Sequence, residues 1–180
     1  MKKVLILSGS PRKGGNSDIL CDEFARGAKE AGNAVEKIRV CEKKISPCLG
    51  CYFCKKHGGR CALNDDMTEI LQKIIDCDVL VLSSPVYFYS ICAQLKAVID
   101  RTVARWTEIA NKDLYYIATA AEEDEDTFDG TLACFHGFAM CIDGYAEKGT
   151  LYGKGVAEKG EVVNRPELMT LAYEMGLSVC

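Results

Sequence analysis

The chain has 180 residues, 48% of them hydrophobic, enough for one globular domain with a sizeable core. Its 26 acidic residues outnumber 22 Lys and Arg, and the net charge of -4 argues against a nucleic-acid surface. No apolar stretch is long enough to cross a bilayer, and the short apolar run after Lys2 and Lys3 is too brief for a secretory signal. The expectation is a single cytoplasmic domain over residues 1–180 whose partners are small molecules or proteins.

The run at residues 4–7 reads as a buried parallel strand. It feeds a loop, residues 8–17, in which Gly9, Pro11, Gly14 and Gly15 forbid regular structure, and then a helix capped by Asn16 or Ser17. Helix N-termini carry unpaired N–H groups and a positive dipole end, so a hydroxyl-rich loop with an Arg at that place suits a phosphate. The loop matches neither a Walker-type spacing nor a G-x-G-x-x-G fingerprint.

Leu20, Phe24, Ala28 and Ala31 give the first helix, which Gly32 and Asn33 stop. Val35, Ile38 and Val40 mark a second strand, near an edge because Lys37 and Arg39 alternate with them. Residues 41–63 form a long loop, and loops of that length usually carry function. Asp66 is placed to cap a second helix with the stripe Met67, Ile70, Leu71 and Ile74. Residues 79–82 make a third strand, followed by the loop Ser84-Pro85-Val86-Tyr87-Phe88-Tyr89 and a third helix bearing Cys92, Leu95 and Val98. Residues 114–118 make the fourth strand, an acidic run at 122–126 precedes the fourth helix, and residues 150–152 make a short fifth strand. Pro166 opens the last helix and Gly176 closes it. Strands alternating with helices imply a parallel sheet covered on both faces, with ligands beyond the carboxyl ends of the strands.

Of eleven cysteines, Cys48, Cys51, Cys54 and Cys61 cluster as C-x2-C-x2-C-x6-C inside the long loop. The remaining seven, Cys21, Cys41, Cys77, Cys92, Cys134, Cys141 and Cys180, read as small core hydrophobes. In a reducing compartment the four clustered thiols suit a metal or redox role. Three thiolates spaced i, i+3 and i+6 can wrap one side of a cubane, and Gly58-Gly59 lets the chain return with the fourth. A structural zinc and an unmetallated thiol set remain alternatives. His57 lies in a basic loop and His136 in a helix, and neither has a case for catalysis.

The segments SGSPRKGGNS, after the first strand, and SPVYFYSICAQLKAVIDR, residues 84–101, together resemble the flavodoxin-fold NAD(P)H-dependent FMN reductases. The resemblance implies a flavodoxin-like three-layer α/β sandwich with a five-stranded parallel sheet of order 2-1-3-4-5. It implies FMN as cofactor, with its phosphate on Ser10, Arg12, Asn16 and Ser17, its ribityl chain and ring against Pro85, Val86, Tyr87 and Phe88, and Thr119 and Ala120 on the other side. The cysteine spacing is similar to that of the iron-sulfur flavoproteins on this fold, which implies a 4Fe-4S cluster on Cys48, Cys51, Cys54 and Cys61. The implied function is an FMN-dependent oxidoreductase with NAD(P)H as donor, no catalytic side chain, a small-molecule or protein redox partner, and a homodimeric or homotetrameric assembly. A flavodoxin-like electron carrier and a cluster-free FMN reductase are the competing functions.

Overall fold

The computed structural model describes residues 1–180. In chain order the elements are β1 (Lys3–Ser8), α1 (Asn16–Glu30), β2 (Ala34–Arg39), α2 (Phe53–Lys56), α3 (Met67–Asp76), β3 (Val79–Tyr87), β4 (Ser90–Ile91), α4 (Ala93–Arg101), β5 (Asp113–Thr119), α5 (Asp129–Ala139), β6 (Ala146–Gly153) and α6 (Pro166–Leu177). The sheet order is β2-β1-β3-β5-β6, with β4 paired to β3 off this path. All neighbours on the path are parallel, and only the β3–β4 pair is antiparallel. The expected five-stranded sheet is thus corrected to six strands.

Alternation along each strand sends side chains to opposite faces, and each face builds its own core. Leu5 and Leu7 of β1 face α3, α4 and α5 in a cluster with Ile70, Leu95, Tyr116 and Phe135. Val4 and Ile6 face α1 and α6 in a second cluster with Phe24, Tyr115, Leu151 and Ala172. α1 and α6 approach backbone to backbone at two glycines. A Cβ on Gly27 would lie 2.1 Å from the Tyr173 carbonyl oxygen, and one on Gly176 would lie 2.0 Å from that of Phe24. Gly176 therefore lies inside α6 as a packing residue and does not close the helix as expected.

The other differences also have local causes. β3 runs on through Pro85, which lies beyond the last residue paired to β1, Ser83, so its missing N–H costs that neighbour no ladder bond. β4 then folds back on Val86 and Tyr87 through a two-residue turn at Phe88 and Tyr89. Both turn residues have positive φ, 49° and 61°, as a type I′ hairpin requires. β6 is longer than the expected 150–152 because its first half, with Glu147 and Lys148 exposed, has no apolar pattern; a register shift there passes from Leu114 to Tyr115. Asp66 makes no side-chain cap for α3: its carboxylate accepts the Lys44 N–H at 2.7 Å, and Asp65 instead accepts the Met67 N–H at 3.2 Å. No helix is long and apolar enough to cross a membrane.

Candidate functional site

The loops after β1, β3, β5 and β6 meet beyond the carboxyl ends of the strands, as a switch point in a parallel sheet demands. They enclose a cleft of about 160 Å³ lined by Ser10, Arg12, Gly15, Asn16, Ser17, Pro85, Val86, Tyr87, Thr119, Ala120, Ala121, Val156 and Ala157. Every cofactor-binding residue expected from the sequence lies on it except Phe88. That side chain is fully exposed at the tip of the β3–β4 hairpin, because the left-handed turn aims it away from the sheet.

One end of the cleft gathers hydrogen-bond donors. The first intrahelical bond near the start of α1 runs from the Ile19 N–H to the Gly15 carbonyl, so the preceding N–H groups lack helical partners. Gly15 occupies the N-cap and no side chain caps the helix there, which corrects the expected role of Asn16 or Ser17. The Asn16 carboxamide is committed elsewhere: its nitrogen donates to the carbonyls of Val156 (3.0 Å) and Glu158 (2.9 Å), and its oxygen accepts the Val162 N–H (3.1 Å). Its side chain therefore ties the last loop to the helix, leaving only its backbone N–H for an anion. Arg12 is exposed and donates to the Ala157 carbonyl at 3.1 Å, so its guanidinium spans the cleft mouth with donors to spare.

Behind this loop lies Asp18, buried at the first turn of α1. Its carboxylate accepts from the Gly14 N–H (2.9 Å), the Ser8 hydroxyl (3.2 Å) and the Lys37 ammonium (3.0 Å), with Arg39 Nε 3.3 Å away. Burial alone would raise its pKa, but the Gly14 N–H, Lys37 and Arg39 outweigh it and hold the group below the usual carboxylate range. The lysine and arginine of β2 are thus the counter-charges of a buried acid. No local pattern in the sequence marks that role.

The opposite wall is apolar and fixed. Pro85, Val86 and Tyr87 come from the end of β3, and Ala120 is bonded on both sides, its N–H to Gly153 and its carbonyl to the Val156 N–H, both at 2.9 Å. Val156 and Ala157 had no signal in the sequence beyond the Gly at 153 and 155, since only the sheet order brings their loop to the cleft.

The four clustered cysteines share a second cavity, about 150 Å³, with Leu49, Tyr52, Lys55, Ala62, Leu63, Arg101, Val103 and Ala104. The loop that carries them is not wholly irregular. Tyr52, at φ 57°, starts the short α2, and Gly58 and Gly59, at φ 58° and 82°, turn the chain back toward Cys61 as expected. All four thiols are free, and no three His, Cys, Asp or Glu side chains converge on a single-ion position. The loop is closed at its neck: the Asp66 N–H donates to the Lys44 carbonyl (3.0 Å) and the Ser46 N–H to Asp65 (3.0 Å). Of the scattered cysteines, Cys21, Cys77 and Cys92 are buried, and burial pushes the thiols of Cys21 and Cys77 up to about 12 and about 11. Cys141 and Cys180 are exposed, contrary to the expected core packing.

A doubly covered parallel sheet with a ligand cleft at its switch point defines a flavodoxin-like α/β protein. An NAD(P)H:quinone oxidoreductase from Methanothermobacter marburgensis shares the fold, with a TM-score of 0.72 at 18% identity over 99% of this chain and 96% of that one. The chain belongs to the NADPH-dependent FMN reductase family, whose sequence model matches residues 2–126. It is 43% identical over 100 residues to an iron-sulfur flavoprotein of Methanocaldococcus jannaschii, covering 56% of this chain and 51% of that protein. It is 42% identical over 101 residues to an iron-sulfur flavoprotein of Archaeoglobus fulgidus, covering 56% of this chain and 45% of that protein. The matches thus cover about half the length of these curated relatives.

Proposed function

We propose that this chain is an FMN-dependent oxidoreductase that takes electrons from NAD(P)H and exchanges them between FMN and a 4Fe-4S cluster. The observation that carries the reading is the cleft itself, in which an anion-binding helix start and an apolar wall from separate loops face one space. The N–H groups at the start of α1, with Ser10, Ser17 and Arg12, would hold the phosphate. Pro85, Val86 and Tyr87 would lie along the ring, with Thr119 and Ala120 opposite. Bound there, FMN supplies the redox chemistry, and the chain's own task is to bind, orient and exclude water. Fixed backbone dipoles of the turn after β3, and no titrating side chain, would stabilise the reduced ring.

For the cluster, the supporting observation is the donor set: Cys48, Cys51, Cys54 and Cys61 stand around one apolar cavity. Four thiolates from one loop are the ligand set that a 4Fe-4S cluster takes. Lys55 and Arg101 bring positive charge to the same cavity, where thiolates accumulate negative charge. We further propose a homo-oligomer in the cytoplasm, its contact drawing on exposed Leu49, Tyr52, Trp106 and Met140. Sedimentation at the monomer mass would reject the assembly.

The test of the flavin site compares FMN with riboflavin, which lacks the phosphate. FMN should bind tighter, and Arg12→Ala should remove about 1.5–3 kcal/mol of that preference, the worth of a hydrogen bond to a charged group. Equal affinity for the two flavins in the parent protein sinks the phosphate assignment. Steady oxidation of NADH or NADPH by FMN-loaded protein separates the enzyme from a pure electron carrier.

A further inference from the structure

Arg101, the last residue of α4, is 2% exposed and sits beneath the cysteine loop. Its Nη1 donates to the Ser46 carbonyl (2.7 Å) and to Asp65 Oδ2 (2.8 Å), and its Nη2 donates to Asp65 Oδ1 (2.9 Å). One guanidinium therefore grips the residue two before Cys48 and the residue four after Cys61. A guanidinium has five N–H donors, and these bonds use three. Of the remainder, Nε–H is buried with no partner. A buried donor left unpaired costs free energy, so such a group is expected to have an acceptor in the working protein. Arg101 also lines the cavity of the four cysteines and borders Cys61 in an adjoining one.

We propose that Arg101 is a positioning residue for the metal cluster: its fork holds both ends of the cysteine loop, and its spare N–H donors face the sulfur of Cys61 and the cluster bound there. This rests on the cluster reading above. A fixed cation with free N–H donors beside cluster sulfur favours the electron-rich reduced state and raises the reduction potential. Lys at this place would keep a charge but lose the bidentate fork and the Nε donor.

The experiment uses anaerobically purified full chain and the variants Arg101→Lys and Asp65→Asn. Iron, acid-labile sulfide and FMN per chain are measured, and the cluster potential is titrated. FMN content controls for folding, since the flavin cleft lies elsewhere. Arg101→Lys should move the cluster potential negative by a tenfold or greater change in the reduction equilibrium, 59 mV for one electron. Asp65→Asn, which removes a nearby negative charge and leaves the guanidinium, should move it positive. A merely structural clamp would lower cluster content in both variants and leave the potential of the surviving cluster at the parent value. That result, or a shift of the same sign in both, overturns the role of Arg101 while leaving the cluster intact. A parent protein with neither iron nor sulfide overturns the cluster reading and this role with it. Should Arg101→Lys lose FMN and fail to fold, Asp65→Asn decides alone: no positive shift overturns the proposal.

Discussion

At the scale of single residues, the donor-rich end of the cleft depends on a charge that never reaches it. Asp18 sits behind the loop, and its carboxylate organises Gly14, Ser8, Lys37 and Arg39. Asp18→Asn should destabilise the fold by about 1.5–3 kcal/mol, the range for hydrogen bonds to a charged group. The sign of its pH dependence follows from the lowered pKa. A depressed carboxylate contributes stability above its unfolded pKa, and that contribution is lost as pH falls through the folded value. Denaturant unfolding of parent and variant should therefore diverge near neutrality and converge in acid; a constant gap would assign the effect to packing. Phe88 offers the opposite case. It is fully exposed in a left-handed conformation that costs a bulky residue about 1–2 kcal/mol. Phe88→Asn, suited to a type I′ turn, should raise stability by about 1 kcal/mol and leave FMN affinity unchanged. Weakened flavin binding would place Phe88 among the residues that hold the flavin, although it does not line the cleft.

At the scale of elements, legibility tracked how local the signal was. The strands at residues 4–7, 79–82 and 114–118 announced themselves as apolar runs, and the helices by their stripes, because both faces of the sheet are buried. The hairpin at Phe88 and Tyr89 was hidden because neither residue is the Gly or Asn that such a turn normally uses. β6 was half hidden because its first residues face solvent. Asn16 lines the cleft, yet its carboxamide bonds the 156–162 segment, and no spacing rule reveals which way an amide points. The glycines of α1 and α6 show the same limit: Gly176 near a helix end looked like punctuation, whereas it is a contact surface. Gly176→Ala should cost roughly 3 kcal/mol, since its Cβ would meet backbone and not a yielding side chain. Gly137, inside α5 with nothing within 4 Å of its would-be Cβ, is the control. Gly137→Ala should gain up to about 1 kcal/mol from helix propensity. Equal effects in thermal unfolding would show that α1 and α6 are free to separate.

At the scale of the whole molecule, the flavodoxin-like frame and the cysteine stretch are joined at a narrow crossing. The Lys44–Asp66 and Ser46–Asp65 bonds close the neck, and both ends of the stretch are pinned to Arg101. The hydrophobic clusters on the two sheet faces contain none of the four cysteines. Attachment this narrow leads to the expectation that the segment can be exchanged while the frame keeps its stability. Replacing residues 47–64 with a short Gly/Ser linker should leave a cooperatively unfolding, FMN-binding and iron-free protein. Because closure entropy changes by only about 0.6 kcal/mol per doubling of loop length, the shortened neck should add on the order of 1 kcal/mol. Loss of FMN from that chain would mean the insert also props the cleft. Retention would mean that a two-centre redox protein and a one-centre one differ by a cassette, and that gaining or losing a metal centre leaves the rest of the chain unchanged.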